Sequence, residues 1–136
     1  MAGGRTVKLL TLTNKDPRFY PLLGPFLASR DVVTYLGGHM WDDDAKTWTV
    51  AVGAGGVGGF IATVPGRGAV RAQSCYAVPG SEGDVIPALI GAVIAAHAPS
   101  PLIAVVRADH AGPWLEAGFE VVADKGRFTH LARKGG

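Results

Sequence analysis

Between Thr47 and Pro79 three apolar, β-branched runs follow one another with gaps too short to hold a helix. They are TWTVAVG (47–53), FIATVP (60–65) and AVRAQSCYAVP (69–79), divided by GAGGVGG (53–59) and by Pro65-Gly66. Strands joined by such short links pair with their chain neighbours, so an antiparallel meander is expected. The stretch GAGGVG (53–58) also has the spacing GxGxxG. A dinucleotide loop of that kind must open a helix, whose N-terminal dipole faces the phosphates. Here the strand FIATV follows, and the glycines are read as a hairpin turn.

Other elements flank this meander. VKLLTLT (7–13) alternates as a strand does. In DPRFYPLLGPFLASRD (16–31) the spacing of Phe19, Leu22, Leu23, Phe26 and Leu27 is helical. Asp16-Pro17 suits a helix start, and Pro21 and Pro25 predict a broken helix or two short pieces. VVTYLGGHMWDDDAK (32–46) reads as a second short helix or a loop. VIPALIGAVIAAHA (85–98) is a buried helix, with Asp84 as N-cap and Pro87 at the third helical position. LIAVVR (102–107) lacks alternation, as a strand covered on both faces does. HAGPWLEA (110–117) is a short helix. Residues 119–123 and 127–132 are strands joined by a hairpin turn at Asp124-Lys125-Gly126. The order β-α-α-β-β-β-α-β-α-β-β defines a single mixed α/β domain spanning 1–136, with a mostly antiparallel sheet and flanking helices.

Composition agrees with one packed domain. The chain has 136 residues, 48% hydrophobic and 18% charged, which is enough apolar material for a core. Its 20 glycines are about twice the ordinary share. The net charge of +2 comes from scattered basic residues, whereas nucleic-acid binders cluster them. Cys75 is alone, so no intrachain disulfide forms, and a reducing, cytoplasmic location is expected. The longest apolar run falls short of a membrane span. The four histidines show no metal-ligand spacing, and His97 and His130 are read as structural.

The stretch LIAVVRADHAGPWLEAGFEVV (102–122) combines a strand, a short helix ending in Gly118-Phe119 and a second strand. SCYAVPG (74–80) runs into an apolar helix. Together with the element order, these pieces resemble the GNAT superfamily of acyl-CoA-dependent N-acyltransferases over about residues 6 to 133. The resemblance implies acetyl-CoA or another acyl-CoA as co-substrate, without a metal. The pantetheine arm would lie between strands 74–78 and 102–107, adding backbone hydrogen bonds like an extra strand. The pyrophosphate would meet the loop and helix N-terminus after residue 78. Coenzyme contacts are therefore expected at Tyr76, Ala77, Val78, Ser81, Gly83, Asp84, Val85, Arg107 and Trp114.

Three positions depart from the family pattern. The phosphate loop reads PGSEGDVIP, so Glu82 and Asp84 put negative charge where phosphates would sit. Trp114 stands where the family has a general-acid tyrosine, and an indole N–H only donates. The asparagine often found after the penultimate strand is replaced by Arg107, Asp109 and His110.

These departures move the expected chemistry onto other residues. Asp109 and His110 are candidates for the base or for positioning, and Tyr76 for the acid that protonates the leaving thiolate. Tyr76 is equally a packed strand aromatic. Backbone amides around Tyr76 to Val78 would hold the oxyanion. His39 and Trp41, in HMWDDD (39–44), are candidates for the acceptor site; the same stretch also reads as a solvated acidic loop. Cys75 reads as a buried small hydrophobe and not as a nucleophile. The expected reaction moves an acyl group to a primary amine of a small molecule or protein. A non-catalytic GNAT-like binding domain and a GNAT-fold enzyme acting on nucleic acid remain open alternatives, as does a homodimer. No membrane partner is expected.

Overall fold

The short links between the β-branched runs close as tight turns and build one twisted sheet. The computed structural model describes residues 7–38, 40 and 44–135. Among these residues seven strands occur: β1 (Lys8–Leu12), β2 (Thr47–Gly53), β3 (Gly56–Pro65), β4 (Val70–Ala77), β5 (Leu102–Arg107), β6 (Glu120–Lys125) and β7 (Phe128–Arg133). Their spatial order is β1-β2-β3-β4-β5-β7-β6. The pairs β1–β2, β2–β3, β3–β4, β5–β7 and β6–β7 are antiparallel, and β4–β5 is parallel. The expected meander is present, and the GxGxxG stretch is its first turn, with Gly56 at φ +108°.

The helices are α1 (Phe19–Leu27), α2 (Arg30–Leu36), α3 (Glu82–His97) and α4 (Gly112–Glu116). A 3₁₀ turn at Ala108–His110 precedes α4, so the single helix expected over 110–117 is really two pieces. The break expected at Pro21 or Pro25 falls elsewhere. Both prolines sit inside a continuous α1, and the chain breaks at Ala28-Ser29. Ser29 ends one helix and starts the next, since its Oγ accepts the Val32 N–H at 3.3 Å.

Two further boundaries differ from expectation. The third helix begins at Glu82, with Ser81 as N-cap, and not at Asp84. Pro87 is therefore the sixth helical residue, and its missing N–H leaves the Gly83 carbonyl without its usual i+4 donor. The last hairpin turns at Gly126-Arg127, because Lys125 already pairs with Phe128.

Each face of the sheet carries its own core. On the α3 and α4 side, Leu89, Ile90 and Val93 pack with Ile61, Leu102, Trp114 and Leu131. On the α1 and α2 side, Phe19, Leu23 and Val32 pack with Trp48, Phe60 and Tyr76. Phe60, Ile61 and Ala62 are fully buried in succession, which identifies β3 as a strand covered on both faces. Each large side chain so buried contributes about 1.5–3 kcal/mol. Edge positions fall to β1 and β6, and Val121 and Val122 on β6 are exposed.

Candidate functional site

Strand β4 contains an extra residue, and that residue opens the sheet. Register between β3 and β4 shifts across Phe60 and Ala62, opposite Tyr76 and Gln73, so three steps on β4 answer two on β3. Ser74 lies in this bulge at φ +55°. The bulge breaks the alternation of side chains: Ala72 and Ala77, an odd number of residues apart, both join the core under α3. Past the bulge β4 no longer follows β5. The parallel pairing consists of Val70 with Leu102, Arg71 with Ile103 and Ala72 with Ala104, and it ends there.

A cleft of about 390 Å³ fills the space between the diverging strands. Ser74 and Cys75 line it from β4, and Val105, Val106 and Arg107 from β5. Glu82, Gly83, Ile86 and Pro87 line it from α3, and Pro113, Trp114 and Glu116 from α4. Tyr35, Leu36, His110, Asp109 and Phe128 complete the described lining.

The α2 end of the cleft is fixed by a helix stop. Gly37 at φ +81° terminates α2, and the amides of Gly37 and Gly38 return to the Val33 carbonyl at 3.0 and 3.1 Å. A Cβ on Gly37 would lie 2.6 Å from Phe128 Cζ, so the bare glycine lets that ring close against the helix end. Arg107 Nη1 donates to the Tyr35 carbonyl at 3.4 Å, and a cation at a helix C-terminus is favourable. Its guanidinium also lies 5.7 Å from the Tyr35 ring centroid.

Asp109 and His110 do enter the cleft together. Asp109 Oδ1 is 3.5 Å from both Arg107 Nε and His110 Nε2. The His110 ring is 5.2 Å from that of Tyr35. Tyr35 is half-buried, and this burial pushes its phenol up to about 12; the nearby thiol of Cys75 adds to the shift and Arg107 opposes it. Burial likewise pushes the Cys75 thiol up to about 12, which leaves it a poor nucleophile.

Tyr76 lies elsewhere. Its ring is buried on the α1–α2 face, 5.5 Å from Phe60 and 5.2 Å from Tyr35, and it is not part of the cleft wall. Burial raises its phenol, with the charges of Asp31 and Glu82 adding to the effect. Tyr35 is the phenol the sequence reading missed. Its helix read as a helix or a loop, and its neighbours Cys75, Arg107 and His110 are distant in the chain.

The expected coenzyme contacts divide. Gly83, Arg107 and Trp114 line the cleft. Trp114 is 2% exposed, and its indole packs edge-on against Phe119 at 5.0 Å, so it is core first and wall second. Val78, Ser81, Asp84 and Val85 instead border a second hollow of about 840 Å³ under the β2–β3 turn. Val78 N–H donates to the Gly58 carbonyl at 2.8 Å and is committed to β3. Strand amides alternate in direction, so Tyr76 N–H also faces β3 and Ala77 N–H faces the open side. Ser81 turns its hydroxyl inward, donating to the carbonyls of Val78 at 2.6 Å and Gly58 at 3.3 Å. His39 and Trp41 lie outside the described residues.

Among the described residues no group of three or more His, Cys, Asp or Glu side chains could hold a metal ion. No helix among them is long and apolar enough to cross a membrane.

Neither a protein-family profile nor a curated protein matches the sequence. Solved structures do match the fold. Escherichia coli ElaA is 14% identical, covers 95% of this chain and 100% of its own, and superposes with a TM-score of 0.68. An acetyltransferase from Thermus thermophilus is 19% identical, with coverages of 94% and 96% and a TM-score of 0.64. A GNAT family acetyltransferase from Elizabethkingia anophelis, with acetyl-CoA bound, is 13% identical, with coverages of 94% and 97% and a TM-score of 0.60. At such identities the likeness is one of fold, and the chain has the GNAT fold.

Proposed function

We propose that this GNAT-fold chain is an N-acyltransferase that moves an acetyl or other acyl group from acyl-CoA to a primary amine. The observation that carries the reading is the end of β4–β5 pairing at Ala72 and Ala104, with a cleft between the strands beyond. A pantetheine arm is thin, and both strand edges offer main-chain groups that it can pair with.

Residues on the two sides of the gap then take roles. The Ala77 N–H stabilises the oxyanion that forms as the amine attacks the thioester carbonyl. His110 takes a proton from the substrate ammonium, which leaves the neutral amine free to attack, and Asp109 lies 3.5 Å from the imidazole. As the C–N bond forms and the C–S bond breaks, the thiolate takes a proton from the Tyr35 hydroxyl. Its high pKa keeps that hydroxyl protonated at neutral pH. The nitrogen of the tetrahedral intermediate gives its second proton to solvent and the phenolate takes one back, so the products are an amide, free CoA thiol and the proton held by His110. A reducing, cytoplasmic compartment suits both the thiol product and the single cysteine.

The test is turnover of acetyl-CoA with a panel of small amines and lysine peptides, followed by thiol release. Amine-dependent release is expected, with a loss of at least tenfold in kcat for both His110→Ala and Tyr35→Phe. Acetyl-CoA at a hundred times its dissociation constant should raise Tm by about 9 °C, from about 2.7 kcal/mol of linkage in a chain this long. Binding without turnover on any amine would select the second reading, a non-catalytic GNAT-like binding domain. That reading is favoured by the Glu82 carboxylate, which already occupies the Gly80 amide at 2.6 Å.

A further inference from the structure

We infer that Glu82 is a specificity-determining residue for the donor: its carboxylate fills the anion position of the β4–α3 loop and discriminates against a diphosphate while leaving the pantetheine arm unaffected. This inference rests on the acyl-CoA reading above. Glu82 is the first residue of α3, and its side chain folds back so that Oε1 accepts the Gly80 N–H at 2.6 Å. Gly80, at φ +94°, turns the loop so that its amide lies two residues before the helix. A loop amide at the positive end of a 16-residue helix is a natural position for a phosphate oxygen, and a fixed carboxylate is already bonded there.

The surrounding charge has the same sign. The described lining of the cleft holds three carboxylates, Glu82, Glu116 and Asp109, against the guanidinium of Arg107. Glu82 and Glu116 line the cleft from α3 and α4. Arg107 is engaged by the Tyr35 carbonyl and Asp109. A diphosphate arriving at the β4–α3 loop must displace the Glu82 carboxylate from Gly80 or bind beside it. An uncharged pantetheine arm lying between β4 and β5 meets no such obstacle.

Calorimetric titrations of CoA and of pantetheine into the parent, Glu82→Gln and Glu82→Lys proteins test this. Pantetheine shares the arm and thiol but lacks the diphosphate. CoA should bind roughly tenfold tighter to Glu82→Gln and tighter again to Glu82→Lys, as removal and then reversal of one nearby charge requires. Pantetheine affinity should stay within about twofold throughout, and the CoA differences should shrink in about 0.5 M salt. Unchanged or weaker CoA binding by Glu82→Gln overturns the inference while the acyl-CoA reading stands. Parallel tightening of pantetheine also overturns it, by showing that the loop has rearranged. If neither ligand binds any of the three folded proteins, as checked by circular dichroism, both this inference and the donor reading fall.

Discussion

Replacing Trp114 by alanine separates a core role from a catalytic one. The indole is 2% exposed, packs edge-on with Phe119 at 5.0 Å and belongs to the cluster that includes Leu131. Removing so large a buried side chain costs about 4 kcal/mol from lost transfer energy and the cavity left behind. A chain of 136 residues has an unfolding entropy near about 0.29 kcal/mol/K, so Tm should fall by about 14 °C. With a urea m-value of about 2 kcal/mol/M, the midpoint should drop by about 2 M. Trp114→Phe keeps the ring contact with Phe119 and should lose only about 1–2 kcal/mol. Far-UV circular dichroism is the suitable probe, since deleting one of three tryptophans changes the fluorescence baseline itself. An alanine variant that loses less than about 1 kcal/mol refutes the packing argument and leaves Trp114 as an expected coenzyme contact alone.

Glycine substitutions should split by position. A Cβ on Gly59 would collide with the Tyr76 carbonyl and lie 2.6 Å from Val85 Cγ1, so Gly59→Ala should lose about 3 kcal/mol in urea unfolding. Exposed Gly91, inside α3 with nothing within 4 Å of its Cβ position, should gain about 1 kcal/mol as alanine by the same assay. Asp16 accepts hydrogen bonds from the Arg18 side chain and backbone, which hold its carboxyl near 2. An NMR titration should find it there, and Arg18→Ala should move the midpoint upward. Because the folded value is depressed, the stabilisation is present above about pH 4 and disappears as pH falls through 2. The Tyr35 phenol, raised to about 12, has the opposite dependence. Its stabilisation is present below pH 10 and is lost as pH rises through 12, and ultraviolet difference titration of the parent against Tyr35→Phe should show one late-ionising tyrosine.

Strand positions were legible in the sequence because β-branched runs and glycine gaps act locally. β2 and β5 occupy the expected residues, 47–53 and 102–107. Helix boundaries were less so. Pro21 and Pro25 suggested a break, yet α1 carries both, and Ser29, which can cap, sets the boundary. Asp84 looked the better cap for α3, but Ser81 turned inward to two carbonyls and the helix began three residues sooner than an Asp84 cap allows. Asp109 and His110, singled out for their place after a strand, do line the cleft. Tyr76 was misplaced, and the bulge at Ser74 explains why register cannot be read by simple alternation. Tyr35 was invisible because its significance lies in contacts with β4, β5 and the 3₁₀ turn, none of them near it in sequence.

The three parallel residue pairs between β4 and β5 also have a mechanical meaning. They make the protein a pair of half-sheets hinged at one corner, with α3 laid across the first half and joined to the second through α4. Yet Ile61 of the first half and Leu102, Trp114 and Leu131 of the second share one core under α3, so that core, more than the three residue pairs, holds the two halves at a fixed angle.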